Sequence, residues 1–226
     1  MAPTTSHLAF LTEMGDTDVY NDLALVCGDE RFYVHKVIVC SQSPVLAESC
    51  SNNLQLDFET GATNDEIDVE GFDPITVRCM IDYMYRGEYE IPKEKRPESQ
   101  KETMAEILLP HVEVHSIAEC YKISRLREYA TDYIRDILGD SLCVEGLMEV
   151  VSTVYNTTED AALRQVMIDE VAFFIEKLVD RDDFAQLGLL NEFSLDVIRK
   201  LQKQIQKLGS HQGRVSLFSA VAAQQT

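Results

Sequence analysis

Apolar and polar positions follow two rhythms in this chain: short alternating runs up to about residue 70, and helical stripes beyond it. Leu8, Phe10, Leu11 and Met14 predict a short amphipathic first helix over 8–14. Leu23–Cys27 reads as an apolar strand, Gly28-Asp29 as a turn, and Glu30–His35 as a second strand with Phe32 and Val34 on one face, together a hairpin. Lys36–Cys40 is short and apolar. Ser43-Pro44 supplies a cap and a first-turn proline, so a helix carrying Val45, Leu46 and Ala47 starts there. Residues 51–65 are polar and turn-rich, and Glu66-Ile67-Asp68-Val69 then alternates as a half-buried strand does, with Gly71 ending it. Asp73-Pro74 opens a helix with Ile75, Cys79, Met80, Tyr83 and Met84 on one side. Gly87 stops that helix, and Glu88–Ile91 fits a fourth, edge strand.

Residues 92–106 contain two prolines, mixed charges, and only Met104 and Ala105 as hydrophobic residues. Such a stretch buries too little to offset its ordering entropy, so a mobile loop is expected. Helical stripes follow. Val114, Ile117, Ala118 and Tyr121 make the first, and Leu126, Tyr129, Ala130, Tyr133, Ile134, Ile137 and Leu138 the strongest. Leu147, Val150, Val151, Val154 and Tyr155 make a third; Leu163, Val166, Met167, Val171, Phe174, Ile175 and Leu178 predict one longer helix. Ile198, Leu201, Ile205 and Leu208 form a stripe on a basic helix expected to pack on this helical module. The fold class is therefore α+β. A module at 1–138, with three or four short strands covered by helices, precedes an all-α extension at 141–208 and a tail at 209–226 that reads as disordered.

Charge narrows the partners. Twenty basic and 39 acidic residues leave −19, with a pI near 4.5. Arg199, Lys200, Lys203, Lys207 and Arg214, with no acidic residue after 196, concentrate positive charge at the end. Phosphate backbones and anionic bilayers repel the rest, so neither direct nucleic-acid binding nor a membrane role is expected. No basic leader and no run of about 18 apolar residues is present, and the six dispersed cysteines lack a C-x-x-C. The expectation is a cytoplasmic or nuclear protein with reduced, buried thiols.

Against this background certain residues carry a family resemblance. Asn21 to Cys27, Phe32-Tyr33-Val34-His35-Lys36 and the run to Ser43-Pro44-Val45 resemble the opening of a BTB/POZ domain. Ile81-Asp82-Tyr83-Met84-Tyr85-Arg86-Gly87-Glu88-Tyr89 resembles that family's "Y-hydrophobic-Y-T-G-x-Y" helix end. Val114 to Ile123 with Leu126 resembles its later "V-Y-x-L-A-D-K-Y-x-I-x-x-L" helix. The style is most similar to the fungal BTB proteins, and the helical remainder resembles a BACK-like extension.

The resemblance implies an interaction fold without enzymatic activity or cofactor. It implies a homodimer formed through the first helix, which makes Leu8, Phe10, Leu11 and Met14 the dimer-interface candidates. Asp22 and Lys36 would line a charged pocket at the dimer seam, or form an ion pair that positions the first helix. A cullin scaffold protein would dock near the helix end, on Ile81, Asp82, Tyr85 and Arg86, and the chain would link it to an unknown client. The competing reading is a homodimeric scaffold in transcription or signalling, with no cullin.

Other constellations carry less. His35 reads as a satisfied core residue. His111, His115 and Glu119 fall on one helix face, with Pro110 placing His111 in the first turn. Zinc could bind there, which sustains a remote metal-dependent enzyme, but the spacing is not H-E-x-x-H and a polar helix face is the expectation, so no metal site is assigned. Tyr83, Tyr85 and Tyr89 form either a partner patch or a core residue with two helix-end caps. No phosphate-cradling glycine motif occurs. Between 141 and 196, twelve acidic residues face Arg164, Lys177 and Arg181, suiting a basic client or simply a solvated surface.

Overall fold

Alternation in Leu23–Cys27 (β1) and Glu30–Val34 (β2) becomes a two-faced sheet because the antiparallel register pairs Leu23 with Val34 and Leu25 with Phe32. Leu23, Leu25, Cys27, Phe32 and Val34 are all buried. Gly28, at φ 58°, makes the turn. Glu66–Asp68 (β3) pairs in parallel on the other side of β1, Leu25 against Ile67, giving the order β2-β1-β3. On the opposite face Arg31 reaches Glu66 at 3.2 Å across the central strand.

The computed structural model describes residues 12–15, 17, 19–52, 66–92, 102–140, 143–181 and 193–207. The chain divides into two units, 1–102 with 106–140, and 103–105 with 141–226. In the first unit a helical turn at 12–15 precedes the hairpin. The connection from β2 to β3 carries Lys36–Gln42 (α1) and Pro44–Asn52 (α2). Lys36–Cys40 thus lies in a helix, whose first turn is capped from a distance: the Asp22 carboxylate accepts the Lys36 main-chain N–H at 2.7 Å. Ser43 opens α2 as its sequence suggests, its Oγ accepting the Leu46 N–H at 3.1 Å.

Pro74–Arg86 (α3) is capped by Asp73, which accepts the Thr76 N–H, and ends at Gly87 with φ 76°. Its buried face is Thr76, Val77, Cys79, Met80, Met84 and Tyr85. Ile75, expected inside, is 49% exposed, because the core-facing stripe starts one residue later. Glu88–Ile91 is not a strand. Met104–Cys120 (α4) and Ser124–Asp140 (α5) complete this part of the chain.

The mobile loop expected over 92–106 is corrected at its end, and most of the rest lies outside the described residues. The helix begins at Met104, so Pro110 sits inside α4 rather than in its first turn. An interior proline costs about 3 kcal/mol. Met104 at 1% exposure and Leu108 at 0% each return about 1.5–3 kcal/mol by burial, which is enough to carry the helix through it.

In the second unit Leu147–Thr157 (α6) and Ala161–Phe173 (α7) bury Leu147, Val150, Val151, Val154, Leu163, Met167 and Val171. Asp160 caps α7 through the N–H groups of Ala162 and Leu163. Arg164 bonds the Thr158 and Tyr155 carbonyls and lies over the Tyr155 ring, fixing the turn between the two helices. The single long helix expected through Leu178 breaks at Phe174 and resumes as Ile175–Leu178 (α8). A last helix spans 193–207 (α9), where Phe193 and Val197 are buried while Ile198 and Ile205 face solvent. The stripe expected to pack is therefore not the buried one, and Leu208 with the tail lies outside the described residues. No helix among the described residues is long and apolar enough to cross a membrane.

Gly146 opens α6 at φ 80°, and a Cβ there would lie 2.8 Å from the Ala105 nitrogen. Gly139, within α5, has open space around it. Gly146→Ala is expected to destabilise by about 1–3 kcal/mol. Gly139→Ala is expected to be neutral or stabilising by up to about 1 kcal/mol. Urea unfolding of both variants checks the contrast.

Candidate functional site

The helix end expected to dock a partner is organised around a buried phenol. Tyr85 is 3% exposed. Its oxygen accepts the His35 main-chain N–H at 2.9 Å and lies 2.8 Å from His35 Nδ1. His35 Nε2 lies 3.0 Å from the Val19 carbonyl, which can only accept, so Nε2 carries the ring proton. Nδ1 is then the acceptor, and the Tyr85 hydroxyl donates to it. Burial pushes the Tyr85 pKa up; the His35 N–H counteracts this and the Asp22 charge adds to it. Both side chains are spent on structure, so His35 is the satisfied core residue its position suggested.

Tyr85 is thereby removed from the exposed docking surface. The helical turn at 12–15 helps to cover it: a Cβ on Gly15 would come within 3.1 Å of its ring. Arg86 stays exposed and pairs with Asp82 across one turn at 3.7 Å, while Ile81 packs partly on the core. Met14 is half-buried against the same core, whereas Leu8, Phe10 and Leu11 lie outside the described residues. Asp22 and Lys36 do come together, the exposed Asp22 carboxylate accepting the Lys36 main-chain N–H as a helix cap.

Beside Tyr85 opens a groove of about 680 Å³, with Ser41, Gln42, Tyr83, Lys122, Ser124 and Arg125 in its wall and no carboxylate among the described residues that line it. Three ties set its shape. Gln42 Nε2 donates to the Met84 carbonyl at 2.8 Å, joining α1 to α3. The Ser43 hydroxyl donates to the Tyr121 carbonyl at 2.7 Å, joining α2 to the turn after α4. That turn closes with Lys122 N–H on Glu119 and Ile123 N–H on Ala118, leaving Lys122 left-handed at φ 56°. A glycine usually fills this place; here it presents a cation. Lys122, Arg125 and Gln42 escaped the sequence reading, although the Ala118 to Ile123 spacing is that of a helix end.

Behind the groove the tyrosines cluster. Tyr83 packs on Tyr129 with ring centres 5.3 Å apart, and Tyr89 meets Tyr129, Tyr133 and His111. His111 Nδ1 lies 2.9 Å from the Tyr89 hydroxyl. His111 and His115 are both buried, which corrects the polar helix face expected of them. Among the described residues no group of three or more His, Cys, Asp or Glu is placed to hold a metal. Burial depresses the His111 pKa to about 4.

Comparison with known proteins decides the family. The BTB/POZ domain model matches residues 11–138, more than half of the chain. The chain belongs to the BTB/POZ family. Among solved structures the BTB domain of human gigaxonin is 16% identical, covers 59% of this chain and 94% of its own, and gives a TM-score of 0.42. The BTB domain of zebrafish PATZ1 is 15% identical, with 60% and 97% covered and a TM-score of 0.43. No curated protein matches the sequence. A BTB domain is a protein–protein interaction module.

Tyr85→Phe removes the acceptor of a buried N–H and the donor to Nδ1, and is expected to lower stability by about 1–3 kcal/mol in denaturant unfolding. His111 is uncharged when folded, with its pKa well below the ordinary 6.5. The unfolded chain therefore binds more protons between these values. Stability is fully present above about 6.5 and falls as pH drops towards about 4. Melting temperatures across that window should fall with pH, and His111→Gln should flatten the slope.

Proposed function

We propose that this chain is a homodimerising BTB adaptor that holds a partner in the groove beside Tyr83. The observation that carries self-association is a set of large apolar side chains left in water around the hairpin. Val37 is 75% exposed, Tyr33 58%, Val19 54% and Tyr20 86%, the last on a left-handed backbone at φ 68°. Tyrosine and aliphatic residues grouped this way are what a second copy buries.

The groove supports a cullin scaffold as the second partner, reached now through Tyr83, Lys122 and Arg125 instead of Tyr85. Its cations stand out on a chain of −19 and would select a partner with an acidic edge. The helical unit from 141 onward, read as a BACK-like extension, would meet the client, and its acidic surface favours a basic one. Cytoplasm or nucleus remains the proposed location. Burial of Tyr85 supports the alternative, a dimeric scaffold that engages no cullin.

Light scattering after size exclusion separates these readings. The expected mass is about twice 25.6 kDa, falling to one copy in a Tyr33→Asp/Val37→Asp double variant. Adding a cullin amino-terminal domain should raise the mass of the dimer, and Lys122→Glu/Arg125→Glu should abolish the rise. A dimer indifferent to the cullin selects the scaffold, and a wild-type monomer overturns the proposal.

A further inference from the structure

We propose that Cys40 and Cys50 form a reversible intramolecular disulfide, a modification site on the α1–α2 hairpin. The two sulfurs lie 3.4 Å apart, in hydrogen-bonding contact. Cys40 sits in the last turn of α1 and Cys50 in the last turn of α2, both partly exposed. A disulfide needs sulfurs at about 2.05 Å, so the sulfurs must close by little more than an ångström. The remaining cysteines are placed differently: Cys27 and Cys79 are buried, Cys27 against the Phe72 carbonyl, Cys120 is exposed, and Cys143 lies on the other unit. The expectation of buried thiols thus holds for Cys27 and Cys79 and fails for the other four, this pair among them.

The co-reactant is a small-molecule disulfide such as oxidised glutathione. One cysteine, as thiolate, attacks its S–S bond, forming a mixed disulfide and releasing one glutathione thiolate. The neighbouring thiolate then attacks the protein-bound sulfur and expels the second glutathione. The protein loses two electrons and two protons; the glutathione disulfide gains both and leaves as two thiols. The product ties the end of α1 to the end of α2. Ser41 and Gln42, which adjoin Cys40, line the groove, so the link sits next to the proposed partner site without depending on it.

The sequence makes the test direct. Lys36 and Arg78 bracket both cysteines with no basic residue and no third cysteine between them. The full chain is incubated with oxidised glutathione, its remaining thiols are alkylated, and it is digested with trypsin. Peptide 37–78 is expected unalkylated and about 2 Da lighter than its dithiol form. Reductant given before alkylation should abolish this. Cleavage after Glu48 should leave the two halves joined. Cys40→Ser and Cys50→Ser should each yield a glutathione adduct on the surviving thiol. Peptide 37–78 recovered with both cysteines alkylated after oxidation, or a link from either cysteine to Cys120 or Cys143, overturns the proposal. The wild-type map decides even if a variant fails to fold.

Discussion

The structure of the first unit depends on a single phenolic oxygen that must satisfy two parts of one histidine. Tyr85 lies at the end of α3, and His35 lies between β2 and α1, fifty residues earlier in the chain. A buried polar group left unpaired costs about 1–3 kcal/mol, so neither residue can shift without exposing several groups to that penalty together. The imidazole passes the constraint on to the Val19 carbonyl and so fixes the segment entering β1. Strand, helix and entry segment share one arrangement because their buried donors and acceptors close only there.

Similar ties recur where helices end. Ser43 caps α2 and also holds the Tyr121 carbonyl; Gln42 holds that of Met84; Asp22 caps α1 from the residue just before β1. Each uses a polar group at a terminus, where main-chain atoms lack partners within the helix. The apolar faces are then left to the core. The groove is what remains between three such termini, and its cationic character follows from a lysine at a helix end where glycine is usual.

Much of this was legible locally. Gly28-Asp29, Ser43-Pro44, Asp73-Pro74 and Gly87 fall where their turn and capping chemistry places them. The BTB/POZ resemblance supplied the arrangement that periodicity cannot. What failed was non-local. Periodicity put Tyr83 and Met84 on the inner side of α3 but could not rank Tyr85, whose burial comes from Gly15 and His35. His111 and His115 share a helix face as their spacing requires, yet spacing does not tell whether that face meets solvent or tyrosines. At Met104 the composition of the preceding stretch outweighed, in the sequence reading, two residues whose burial extends the helix.

The parallel pairing of β3 with β1 has a consequence for the order of folding. The hairpin joins neighbours in sequence and can close within about 1–10 microseconds. Ala24 meets Glu66 only after α1, α2 and the polar stretch behind them have been gathered in, so that contact carries a much larger loop-closure entropy. Until then β1 is an edge rather than a centre, and its unpaired amides form a template for another strand. Among the described residues, the three of β3 and the Val69 N–H, which bonds the Val26 carbonyl, are what covers it. For a chain emerging from the ribosome beside identical chains, that interval is when the sheet is most open to the wrong strand.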